Sequence, residues 1–239
     1  MLGVRDKAAR QALARMQSGG WLARERVGRQ TRWALTSRSR ELLGAGAEQI
    51  YGFGQNTPSW DGRWVVLLAS VPERDRAVRY RMAQGLGWAG FGSIGQGIWL
   101  SPWAERERVA ARLLGEIGVA ATSFCAELGE LGSALSLADR AWDLPMLLRE
   151  YDEFWSETSG LVDVAFEGSA AVAALASVVH RWRRFPFLDP DLPGELLPSD
   201  WPGPAAAERF ADLRGALLPT AREWWRATEA ANTPTGWRP

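Results

Sequence analysis

Thiol and imidazole side chains are nearly absent from this chain of 239 residues, which has one cysteine, Cys125, and one histidine, His180. A single thiol closes no intramolecular disulfide. One imidazole leaves no His/Cys cluster with zinc spacing and a single candidate base for a Ser/His/Asp arrangement. No catalytic set, no metal and no cofactor is therefore expected, and a reducing compartment is. The glycine-rich run GFGSIGQG at 90–97 lies between two short apolar stretches and does not open a helix, so it reads as a hairpin turn and not as a phosphate-binding loop. What is concentrated is positive charge. The first 40 residues hold Arg5, Lys7, Arg10, Arg15, Arg24, Arg26, Arg29, Arg32, Arg38 and Arg40 against Asp6 and Glu25, a local excess of eight positive charges in a chain of zero net charge. A basic segment on an acidic body is the footprint of an end that meets a polyanion. Lys7 is the only lysine among 28 basic residues, which a coding bias toward arginine explains, but such a bias does not explain the clustering.

The elements that position these charges follow from periodicity. Ala9, Ala12, Leu13 and Met16 repeat at helical spacing from Asp6 and predict an amphipathic helix that stops at Ser18-Gly19-Gly20. An extended run from Trp21, a turn at 26–30 and a second run over Thr31 to Leu35 predict a basic hairpin. A helix followed by a basic hairpin is the second half of a winged helix-turn-helix. Such a helix fits a major groove, and an arginine-rich wing grips phosphate or minor groove. Lys7, Ala8 and Gln11 are the candidates for base contact; Arg10, Arg15, Arg24, Arg26, Arg29 and Arg32 are the candidates for phosphate. A solvated helix with a charged hairpin is the other reading of the same residues.

Residues 37–50 read as a linker helix and 52–62 as a boundary loop. From Arg63 the order is strand (64–70), helix (73–86), two short strands (91–94 and 98–101), helix (104–116) and strand (119–124), a ferredoxin-like βαββαβ pattern. At about 65 residues, one face of that sheet needs a partner domain or subunit to cover it. Beyond 128 the chain reads as helices at 136–141, 143–158, 170–184 and 205–229, with aromatic residues on core stripes. Between them, 180–203 carries prolines that fix φ and predict a rigid extended strap. The longest apolar stretch, 170–179, falls short of the ~20 residues of a membrane span, so a cytoplasmic location is expected. With 46% hydrophobic and 23% charged residues, the chain has room for two compact domains or three small ones.

Three regions resemble the PaaX-type family of bacterial transcriptional repressors. VRDKAARQALARMQSGGWL looks like its recognition helix, followed by the wing GRQTRWALT and the connector AEQIYGFGQNTPSWDGRW. WDGRW, SVPE and GFGSIGQGIWLSP resemble its middle region, and HRWRRFPFLDPDLPGELLPSDWPG its C-terminal signature. In that family about 35 residues and one or two helices precede the recognition helix, so the chain is expected to be truncated at its N-terminus. The family's middle region is similar to a small CRISPR-associated endoribonuclease, a fold that holds a metal with a carboxylate at the end of its first strand. Here that strand ends Ala69-Ser70-Val71-Pro72, and Glu73 is the nearest acid.

The resemblance implies a homodimeric repressor that binds double-stranded operator DNA and is released by an aryl-CoA thioester such as phenylacetyl-CoA. Such an effector needs arginines for phosphate and an apolar slot for its acyl group. His180, Arg181, Trp182, Arg183 and Arg184 are the candidates, with bracing of the strap as the alternative role. The fold class is α+β, in five parts: a partial winged helix-turn-helix (1–40), a linker helix and loop (41–62), a ferredoxin-like domain (63–128), a helical C-terminal domain (129–232) and a disordered tail (233–239). The function is that of a repressor with no membrane partner and no chemistry of its own. Two alternatives remain: an effector-binding or dimerising protein that no longer binds DNA, and a metal-dependent nuclease.

Overall fold

A computed structural model describes residues 5–27, 30–55, 59–161 and 164–232; the tail expected at 233–239 lies outside the described residues. The fold is α+β, with a helical C-terminal part. It forms two compact units that do not follow chain order. The first comprises residues up to Phe53, Gly160–Trp182 and Phe210 onward; the second comprises Gly54–Ser159 and Arg183–Arg209. No described helix is long and apolar enough to cross a membrane.

In the first unit, α1 (Asp6–Ser18) ends where expected, and the reason is visible in its backbone. Gly20 takes φ +74°, its N–H donates to the Gln17 carbonyl, and the Trp21 N–H donates to the Met16 carbonyl at 2.8 Å. This glycine-dependent closure satisfies carbonyls that the helix end would leave open. The hairpin follows, β1 (Leu22–Val27) paired with β2 (Gln30–Leu35) from Leu22 opposite Leu35 to Val27 opposite Gln30. Its base is clasped to the next helix, α2 (Ser37–Gly52), which Thr36 caps by accepting from the Ser39 N–H. The Thr36 hydroxyl donates to the Gly20 carbonyl and that of buried Ser39 to the Trp21 carbonyl, at 2.9 and 2.8 Å. Helix end, hairpin and α2 are thus tied through side-chain hydrogen bonds to backbone carbonyls. The rest of this unit is α7 (Gly168–Trp182) and the part of α9 (Gly203–Asn232) from Phe210 onward.

The second unit is built on an antiparallel sheet of order β4-β5-β3-β6, with β3 at Arg63–Ala69, β4 at Gly92–Gly95, β5 at Ile98–Ser101 and β6 at Ala121–Glu127. Helices α3 (Arg76–Trp88) and α4 (Arg106–Ile117) cover one face, where Val65, Leu67 and Trp99 meet Met82, Leu86, Ala110 and Leu114. Helix α3 begins later than the expected residue 73. The segment 73–75 forms a turn, closed by the Asp75 N–H donating to the Pro72 carbonyl, so Glu73 precedes the helix and is exposed. The glycine-rich run is the expected hairpin turn, with Gly95, Gln96 and Gly97 all at positive φ.

The other sheet face does not wait for a partner subunit. Trp64 and Leu100 pack there against Ala138 of α5 (Ala134–Ala141), Leu144 and Leu147 of α6 (Leu144–Ser159), and Leu192 and Leu196 of the proline-rich segment. That segment is less extended than its prolines predict. It contains a short helix, α8 (Phe185–Leu188), and a 3₁₀ turn at Gly194–Leu196. Pro186 falls in the first turn of α8, where the missing N–H has no partner to lose.

Candidate nucleic-acid interface

On α1, Asp6, Lys7, Arg10, Gln11 and Ala14 lie together on one solvent-facing side of the helix. Lys7 and Gln11 are four residues apart and therefore share a helix face, and both are exposed, as are Ala8, Arg10 and Arg15. Arg10 lies 3.9 Å from Asp6 with both side chains almost fully in solvent. An ion pair so exposed holds neither group firmly and leaves Arg10 available to another anion. The opposite face carries Ala9, Ala12 and Leu13, each partly exposed, and Met16, 39% exposed; α1 has no buried residue.

The hairpin divides its arginines. Cross-strand partners share a face and alternate residues change face. Arg24, opposite Trp33, and Arg26, opposite Thr31, therefore lie on one side, while Arg32, opposite Glu25, lies on the other. The Arg24 guanidinium sits 5.9 Å from the Trp33 ring centre, at the outer range for a cation over an aromatic face. Arg29 lies outside the described residues. Arg40 has a structural task that charge counting alone did not reveal: its guanidinium donates to the Leu35 carbonyl at 2.9 Å, bracing the end of β2.

The five residues expected to hold an effector have unlike surroundings. His180 is exposed in the last turn of α7 and Arg181 is partly exposed. Trp182 is fully buried, donates its indole N–H to the Ile50 carbonyl at 2.9 Å and stacks on Phe210 at 4.7 Å between centroids. Its ring is at the centre of the first unit's core and lines no open slot. Arg183 and Arg184 belong to the second unit, where Arg184 meets the Glu150 carboxylate at 3.0 Å.

A further polar group went unnoticed in the sequence. Within the strap, Asp189 accepts from the Tyr151 hydroxyl at 2.5 Å and from the Asp191 N–H at 2.7 Å. Desolvation pushes its carboxyl up to about 6 against the pull of those hydrogen bonds, and burial beside Asp189 raises the Tyr151 phenol far above its ordinary value. Arg106, its pKa lowered by burial, donates to the Pro190 carbonyl at 2.6 Å, and the Trp103 indole donates to that of Asp191 at 2.8 Å. Asp191 itself takes φ +52°, unusual for a residue with a side chain. The visible signal was Asp189-Pro190-Asp191, two acids around a proline in an otherwise apolar stretch. The group anchors the strap to α4 and α6.

A basic helix closed onto a basic hairpin, followed by a four-stranded sheet and a proline-strapped helical region, defines a class. Residues 57–137 match the PaaX protein central Cas2-like domain and residues 142–227 match the PaaX-like protein C-terminal domain, and the chain belongs to the PaaX family. It is similar to the transcriptional repressor PaaX of Escherichia coli K12, at 29% identity over 232 residues, covering 92% of this chain and 72% of that one. Among solved structures it is similar to the uncharacterized protein Rv0674 from Mycobacterium tuberculosis, with a TM-score of 0.63 and 23% identity, covering 93% of this chain and 86% of that one. At that identity the likeness speaks to the fold alone.

Proposed function

We propose that this chain is a DNA-binding transcriptional repressor in which α1 enters the major groove as the recognition helix and the β1–β2 hairpin is the wing of a winged helix-turn-helix. The observation that carries this reading is the exposed Lys7–Gln11 face of α1, held by the Gly20 closure and the Thr36–Ser39 clasp beside a hairpin bearing Arg24 and Arg26. Similarity to a repressor across 92% of the chain supports it. The strand order β4-β5-β3-β6 and its antiparallel pairing support a ferredoxin-like reading of the βαββαβ unit. That unit serves as the dimerising and relay part of a cytoplasmic homodimer, and the helical region beyond it senses the effector. That effector is an aryl-CoA thioester, with His180 and Arg181 in the last turn of α7 as its polar contacts. It acts by preferring the conformation that cannot bind the operator.

Mobility-shift titrations with promoter DNA from beside its own gene test the assignment. Replacing Lys7 or Gln11 by Ala should cost about 1–3 kcal/mol on the operator while sparing random DNA. R24A and R26A should weaken both equally, each lowering the salt slope by about 0.9. Equal loss from all four variants on both DNAs would remove the recognition-helix role.

A second reading rests on the open apolar face of α1, where Met16 is 39% exposed and nothing is buried. On that reading the chain binds an effector or a second copy but not DNA, and none of the four substitutions changes any titration.

A further inference from the structure

A cleft of about 270 Å³ opens within the second unit, where the start of β3, the end of β5 and the start of α4 meet. Trp64 and Trp103 line it as buried residues, and Trp60, Asp61, Glu105 and Cys125 as partly or fully exposed ones. What these side chains have left to offer follows from the bonds they already make. The Trp60 indole donates to the Arg63 carbonyl and the Trp103 indole to that of Asp191, each at 2.8 Å, so both rings offer π surface and not a free donor. Asp61 accepts the Arg63 N–H through Oδ1 at 2.9 Å, and Glu105 stands at the N-cap of α4 without making a capping bond. Among the described lining residues Arg63 is the one cation, and its cross-strand partner is Glu127 of β6. Arg106 is turned to the Pro190 carbonyl. The positive end of the α4 dipole is answered by Glu105 and by Glu107, whose carboxylate accepts from the Ser123 hydroxyl.

We propose that this cleft binds a small organic cation of the alkylammonium class, with its charge beside Asp61 and Glu105 and its methyl or methylene groups on the Trp60 and Trp103 rings. The face of an indole ring is electron-rich and attracts an ammonium group, most strongly where water is displaced. An anion would meet two carboxylates and find both rim indole donors already spent. A neutral apolar ligand would strip water from the same carboxylates and give nothing in return. The cleft also borders one unsatisfied donor, since Trp64, 2% exposed, has a buried indole N–H with no acceptor among the described residues. A hydroxyl or carbonyl oxygen on the cation is the group that would meet it.

The proposal does not rest on the repressor reading, and its test needs no DNA. Cys125 is exposed, lines the cleft and is the only thiol in the chain, so its rate of alkylation by iodoacetamide reports occupancy. The probe is choline, which carries both a trimethylammonium group and a hydroxyl. Millimolar choline should slow the alkylation of Cys125 and give a saturable calorimetric titration of the full chain. Dimethylbutanol, in which a tert-butyl group replaces the trimethylammonium, should do neither, and nor should sodium chloride at equal ionic strength. D61N keeps Oδ1 for the Arg63 N–H and E105Q removes no capping bond, so the double variant should melt with the parent. It should bind choline about tenfold more weakly, the loss expected from neutralising two exposed carboxylates. If the double variant melts well below the parent, the contrast between choline and dimethylbutanol on the parent decides. Equal binding of the uncharged analogue, equal slowing by sodium chloride, equal affinity in a well-folded double variant, or no binding of choline at tens of millimolar overturns the proposal.

Discussion

The Asp189 carboxyl shows how one residue can mark a segment as built into the molecule. Desolvation raises its pKa from 3.8 to about 6, so the folded chain holds that proton more tightly than the unfolded chain does. Its contribution to stability is therefore complete below about pH 4 and is lost as the pH rises through 6, a swing of about 3 kcal/mol. The Tyr151 hydroxyl opposes that shift by hydrogen-bonding to the ionised form. Y151F should cost about 1–3 kcal/mol at pH 7 and move the step attributable to Asp189 upward from pH 6. Urea denaturation of parent and variant from pH 4 to 8 measures both, and a step at the same pH in the two proteins would contradict the coupling. Trp182 and His180 make a second contrast. W182A removes a fully buried ring and its bond to Ile50 and should cost about 3–5 kcal/mol. H180A, at an exposed helix end, should stay within about 0.5 kcal/mol while weakening effector binding. A mild W182A would contradict the core role of the ring.

Elements were legible wherever apolar spacing and glycine agreed. The start of α1 at Asp6 and its stop at Gly19-Gly20, the β1–β2 hairpin, and the strand and helix order from Arg63 all follow from pattern alone. Departures arise where tertiary packing outweighs local preference. Prolines at 186, 190 and 193 predict an extended strap, yet burial of Phe185, Leu192 and Leu196 bends the chain into a helical turn and a 3₁₀ turn. Aromatic residues beside arginines at 180–184 looked like a ligand slot, because periodicity shows that Trp182 is apolar but not which face of α7 is covered. The cover on the second sheet face was also hidden, since a sheet's partner layer is a long-range contact that no short window contains. Gly92 reports that cover: a Cβ there would meet the Trp142 ring at 2.5 Å and the Ala141 carbonyl at 2.7 Å. G92A should therefore destabilise the second unit by about 1–3 kcal/mol through overpacking of β4 against α5. Thermal melting checks this, and an unchanged melting temperature would mean that α5 is not seated on β4.

At the scale of the whole molecule, chain order and compactness part ways. Residues 160–182 and those from 210 onward fold with the N-terminal hairpin, whereas 183–209 fold with the sheet, so the chain passes between the units more than once. On the proposed repressor reading, an effector bound in the helical region would act by biasing one of two populated states of the segment that carries Lys7 and Gln11. The charge asymmetry fits the same division, with eight excess positive charges in the first 40 residues of a neutral chain. The most direct test of the repressor account is the affinity of the full chain for its own promoter and for scrambled DNA across a salt series, with and without phenylacetyl-CoA. The account predicts a steep salt slope on both DNAs, a promoter preference of about 10³ or more, and loss of that preference on adding the thioester. Equal affinity for promoter and scrambled DNA at every salt concentration would contradict it.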